Sequence, residues 1–120
     1  MYKRILVGTD GSTTAAKAVD RAVELAQASG ATLTILTAGT GEQAKQIVDR
    51  EAVRHANSGV AIDTRVDDRD ASSALVEVAE GGDYDLLVVG NKGMHRRVLG
   101  SVPNSVSHKA NCSVMIVKTT

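Results

Sequence analysis

Leu86-Leu87-Val88-Val89 is the most apolar run in the chain, bounded upstream by Gly81-Gly82-Asp83 and downstream by Gly90-Asn91-Lys92-Gly93. A stretch this short with no polar residue has no face to offer to water, so it reads as a strand covered on both sides. Helices above and below a parallel sheet supply such cover, and the run is expected at the sheet's centre. Ile5-Leu6-Val7 and Val114-Met115-Ile116-Val117 have the same character. Thr32-Leu33-Thr34-Ile35-Leu36-Thr37, rich in β-branched residues, reads as another strand. From Val60 to Val66 the pattern alternates strictly, with Val60, Ile62, Thr64 and Val66 against Ala61, Asp63 and Arg65. That alternation suits an edge strand with one wet face.

Between these runs the period changes to that of a helix. Ala15, Ala18, Val19, Ala22, Val23 and Ala26 recur at three-and-four spacing and stop at Ser29-Gly30, where a left-handed cap fits. A second helix is predicted from Glu42 to Ala56 around Ala44, Ile47, Val48 and Ala52. A third is predicted from Asp70 to Glu80 around Ala71, Ala74, Leu75, Val78 and Ala79, and a short fourth ends near Ala110 with Pro103 in its first turn. Five strands alternating with four helices require right-handed crossovers. The fold class is therefore α/β: an open, doubly wound five-stranded parallel sheet with helices on both faces, a Rossmann-like sandwich. Residues 1–120 read as one domain, with no linker or repeat between them.

Composition narrows the partners. The chain has no Phe or Trp and only Tyr2 and Tyr84 as aromatics, so it lacks the platforms on which single-stranded nucleic acid or a flavin would stack. Lys plus Arg and Asp plus Glu both count 14, which leaves no net charge to attract a polyanion. Nucleic acid is not expected as a partner. Cys112 is the only cysteine and reads as a small buried hydrophobe, while His55 and His108 have no ligand-spaced companions that would make a metal site. The apolar stretch after Lys3 and Arg4 is too short for a signal core, and no segment is long enough to span a bilayer. A cytoplasmic protein without membrane contact is the expectation.

In an open parallel sheet, ligands bind beyond the carboxyl ends of the strands, where strand order reverses. Two turns at such ends have the residues for it: Gly8-Thr9-Asp10-Gly11-Ser12, and Gly90-Asn91-Lys92-Gly93 continued by Gly100-Ser101. Glycines leave backbone N–H groups open to an anion, and a following helix N-terminus adds a favourable dipole. Gly39-Thr40-Gly41-Glu42-Gln43-Ala44 spells the dinucleotide fingerprint G-x-G-x-x-A, but its Glu42 would face the pyrophosphate and it follows the second strand. The Walker A pattern is absent, and no Ser-His-Asp set or carboxylate pair identifies a catalytic base.

Gly90-x-x-Gly93, then Gly100-Ser101-Val102 opening a helix, together with Ile5-Leu6-Val7-Gly8-Thr9-Asp10-Gly11-Ser12, resembles the nucleotide signature of the universal stress proteins. The resemblance extends over essentially the whole chain. It implies an ATP-binding stress-response protein, with at most slow hydrolysis and with Mg²⁺ held mainly by the phosphates. No cofactor is implied for folding. It also implies a homodimer paired through the terminal strand Val114 to Val117. Carried over by position, Thr9 and Asp10 would flank the nucleoside and backbone near Ala38 would meet the adenine edge. Gly90, Lys92 and Gly93 would line ribose and phosphates, and Gly100, Ser101 and Val102 would meet the phosphate tail. Gly8, Val89 and Pro103 complete the candidate set.

The family usually has a longer loop than Met94 to Leu99 between its second glycine and the Gly-Ser pair; here Lys92, His95, Arg96 and Arg97 crowd it with groups that either meet phosphate or form a solvated patch. Asp10 and Ser101 also read as helix N-caps. The shortened loop favours an alternative: a dimeric interaction module of the same fold without nucleotide.

Overall fold

The computed structural model describes residues 2–91 and 101–119. Strands and helices alternate as β1 (Arg4–Gly8), α1 (Thr13–Ser29), β2 (Thr32–Ala38), α2 (Gly41–Arg54), β3 (Ile62–Asp67), α3 (Ala71–Gly81), β4 (Leu86–Gly90), α4 (Ser101–Lys109) and β5 (Ser113–Val117). The strands form one parallel sheet in the order β3-β2-β1-β4-β5. Val7 stands opposite both Ile35 of β2 and Val88 of β4.

The apolar run Leu86–Val89, expected at the centre, is an interior strand one place away from it, and β1 holds the middle. Leu87 and Val88 are as fully buried as Ile5, Leu6 and Val7. Two strands flanked on both edges and both faces experience the same exclusion of water, so hydrophobicity does not rank them.

Side chains alternate across the sheet and divide the core in two. Ile5, Val7, Leu33, Ile35, Leu86 and Val88 pack under Ala18, Val19, Ala22, Val23 and Ala26 of α1, with Val48 of α2. Leu6, Leu36, Leu87 and Val89 pack under Ala74, Leu75, Val78 and Ala79 of α3, with Val106 of α4. The small stripe of α1 lets its backbone lie close to the sheet. Gly30 ends α1 at φ 71°, a left-handed conformation that costs other residues about 1 kcal/mol.

Local capping differs from expectation at Asp10. Ser12 is the N-cap of α1, its Oγ accepting from the Ala15 N–H at 3.1 Å, while Asp10 Oδ1 accepts from the Ser12 N–H at 2.9 Å. At the far edge, β3 starts two residues later than the alternation suggests, and of the alternating set only Val60 and Ile62 pack against the core. Thr64 and Val66 are exposed, so both faces of β3 are largely wet. Among the described residues no helix is long and apolar enough to cross a membrane.

Candidate functional site

β1 feeds α1 on one face of the sheet, whereas the chain leaving β4 returns as α4 on the other. The two adjacent strands thus part at their carboxyl ends, and an open cleft of about 120 Å³ lies there. Gly8, Thr9 and Asp10 enter it from β1, Ala38 from β2, Val89 and Gly90 from β4, and Val102 and Pro103 from the start of α4. These eight were singled out in the sequence, and the fold gathers them from four separate segments. Ser101 is the first residue of α4, next to Val102. Lys92, Gly93 and Gly100, and with them Met94 to Leu99, lie outside the described residues.

The floor of the cleft is tied together by backbone and hydroxyl groups. The Thr9 N–H donates to the Leu36 carbonyl at 3.0 Å, and Thr37 Oγ1 donates to the Thr9 carbonyl at 2.9 Å in a buried position. Thr9 Oγ1 accepts from the Gly11 N–H at 3.1 Å. Gly11 has φ 85°, left-handed backbone that turns the chain into α1. At Gly8 and Gly90 a side chain would crowd neighbours within the protein. A Cβ on Gly8 would sit 3.0 Å from Leu75 Cδ2, and one on Gly90 would sit 3.2 Å from Thr119 Cγ2.

Ser12, from the first glycine turn, also lines the cleft, and so do residues that sequence reasoning assigned to the core or passed over: Thr14, Ala15, Leu36, Ala71, Leu75 and Thr119. Leu75 and Ala71 were legible as a helical stripe but not as cleft lining. Thr119 carried no signal, because its place is set by Asn91, 28 positions away, whose Oδ1 accepts from both the N–H and the hydroxyl of Thr119. Lys17 Nζ donates to the Thr119 carbonyl at 3.2 Å and ties the same segment to α1.

Beyond Ala38 the cleft opens into a wider chamber, bordered by Gly39, Arg69, Asp70, Ser72 and Ser105 and sharing Asp10, Ala38, Ala71 and Val102 with the first space. Arg69 is anchored by carboxylates: Nε and Nη2 donate to Asp67 at 2.9 and 2.6 Å, and Nη1 lies 3.2 Å from Glu77 Oε1. The guanidinium beside it, helped by the Arg69 backbone N–H, holds the buried Asp67 carboxyl down from 3.8 to about 2. On the other side of the molecule, partial burial pushes the Cys112 thiol up. Among the described residues no cluster of His, Cys, Asp and Glu could hold a metal ion. The fingerprint at Gly39 lies at the end of β2, away from the point where strand order reverses, and a Cβ there would meet Ala44 Cβ at 3.2 Å. Its spelling follows from a tight β2–α2 joint.

The sequence model of the universal stress protein family matches residues 1–43 and 37–118. The chain belongs to the universal stress protein family. A universal stress protein of Mycobacterium tuberculosis is 35% identical over 144 residues, covering 99% of this chain and 98% of the relative. A solved universal stress protein in complex with cAMP is 40% identical with a TM-score of 0.89, covering 99% of this chain and 98% of that one. A universal stress protein of Archaeoglobus fulgidus in complex with dAMP, 22% identical with a TM-score of 0.80 over 98% of each chain, shares the fold. The mycobacterial alignment runs over 144 positions where this chain has 120 residues, so about two dozen positions lack a counterpart here. The family match breaks at residues 37–43, the joint where only Gly39 and Thr40 separate β2 from α2.

Proposed function

We propose that this universal stress protein binds an adenine nucleotide, ATP foremost, in the cleft beyond β1 and β4, within a single domain of residues 1–120. The observation that carries the reading is the cleft's two-sided character. Leu36, Ala38, Leu75, Val89, Val102 and Pro103 form apolar walls suited to a purine, while Thr9, Asp10, Ser12 and Thr14 offer polar groups suited to a ribose. The family relative 40% identical to this chain, solved with cAMP, supports the same class of ligand. In this reading backbone at Ala38 meets the adenine edge and Asp10 the ribose hydroxyls. Gly90, Lys92, Gly93, Gly100, Ser101 and Val102 carry the phosphates, with the N-terminal dipole of α4 in their favour. Mg²⁺ would arrive with the phosphates and be held mainly by them.

The proposal includes a homodimer through β5 and residence in the cytoplasm, where ATP is available. β5 is an edge strand whose Val114, Met115 and Ile116 are only half-buried in the monomer, whereas the other edge carries exposed Asp63 and Arg65. Charged side chains blunt an edge against pairing, and apolar ones invite it.

One observation favours the nucleotide-free module: Gly8 and Gly90 are crowded by Leu75 and Thr119, a packing reason for glycine that needs no ligand. The two readings separate in one experiment. Purified protein is denatured and the supernatant chromatographed for adenine nucleotide, and refolded or apo protein is titrated calorimetrically with Mg-ATP and with cAMP. Released nucleotide or saturable heat supports binding. No released nucleotide together with no heat from either ligand leaves only the interaction module.

A further inference from the structure

Building on the adenine-nucleotide reading, we propose that Arg69 forms the outer wall of the base pocket, with the face of its guanidinium lying over the purine ring. The β2–α2 joint is reduced to Gly39 and Thr40, so the rim beyond Ala38 is made instead by the β3–α3 connection, where Arg69 stands. A base seated against Ala38 therefore presents its far side to the chamber that Arg69 borders, because Ala38, Ala71 and Val102 line both spaces.

The anchoring of Arg69 decides what it can do there. Asp67 and Glu77 occupy donors on three of its nitrogens and offset its charge, so it is poorly placed to serve as a phosphate clamp. The same contacts hold the plane still, and the side chain remains 40% exposed. A guanidinium with its edges engaged has weakly hydrated faces, which stack well on aromatic rings. No aromatic side chain is available for the task. Tyr84 lies under the Arg4 guanidinium at 4.5 Å with its hydroxyl 2.6 Å from Thr34 Oγ1, and Tyr2 packs against the α1-side core. Among the described residues lining the cleft or chamber, Arg69 is the one cation, and no aromatic ring stands beside it.

The test is calorimetric titration of wild type and Arg69→Lys with ATP and with adenosine. Lysine keeps the charge beside Asp67 and loses the plane. The expected result is a loss of about tenfold in affinity, equal for the two ligands, since both carry the base. Wild-type affinity in the variant overturns the proposal, as does a loss confined to ATP, which would assign Arg69 to the phosphate tail. If Arg69→Lys does not fold, wild-type protein labelled with ¹⁵N and ¹³C answers the question. Adenosine should move the Arg69 side-chain resonances upfield through the purine ring current and ribose 5-phosphate should not, and unmoved resonances in an adenosine-saturated sample overturn the proposal. Wild type that binds neither ATP nor adenosine would instead defeat the nucleotide reading itself, and this proposal with it.

Discussion

A methyl group at position 8 would come within 3.0 Å of Leu75, a side chain only 3% exposed. Gly8→Ala is therefore expected to cost about 1–3 kcal/mol by overpacking, and Leu75→Ala in the same chain should return part of the loss. Urea unfolding of the two single variants and the double variant measures this, and strictly additive losses would mean the two positions do not meet. Asp67 gives a prediction in pH. Its carboxyl titrates lower in the folded protein than the ordinary 3.8, so the Arg69 contact stabilises the fold above about pH 4, and that contribution disappears as pH falls toward about 2. Asp67→Asn removes the titrating group. The stability difference between wild type and Asp67→Asn should accordingly be constant near neutrality and shrink through that acid window. Parallel urea midpoints down to the lowest pH would refute the linkage.

At the scale of elements, the two edges of the sheet differ in chemistry. β5 leaves Val114, Met115 and Ile116 half-covered, while β3 carries exposed Asp63 and Arg65 on one face and exposed Thr64 and Val66 on the other. If β5 pairs with a second copy, Val114→Lys should shift the protein from dimer to monomer in sedimentation velocity while far-UV circular dichroism stays unchanged, because a lysine stem can lie along the surface with its ammonium in water. A wild type that sediments as a monomer, or a variant that stays dimeric, excludes pairing through this edge. The start of α1 links an element to the cleft. Ser12 caps the helix and also lines the cleft, so Ser12→Ala should lower stability by about 1 kcal/mol, read from the urea midpoint. An unchanged midpoint would mean that the cap bond contributes nothing.

For the whole molecule, a ligand that binds only the folded state adds RT ln(1 + [L]/Kd), about 2.7 kcal/mol at a hundredfold excess over Kd. In a domain of 120 residues that corresponds to a rise of about 10 °C in the thermal midpoint, measurable by differential scanning fluorimetry with Mg-ATP. A midpoint indifferent to ATP and cAMP would count against the cleft as a nucleotide site. Most of the fold was legible because it is written in local periods. The small stripe from Ala15 to Ala26, the Gly30 stop and the uninterrupted strand at Leu86 each depend on neighbours a few positions away. The first glycine turn, with Gly11 at φ 85°, was legible for the same reason. What the sequence determined by itself was therefore the succession of elements, the parallel sheet they require and the strand ends at which the cleft opens. Only the tertiary structure decided that β1 and not β4 is central, that Leu75 and Thr119 crowd two of the glycines, and that Arg69 stands at the open rim. Those facts depend on which distant segments come into contact, and such contacts leave no period along the chain from which to read them.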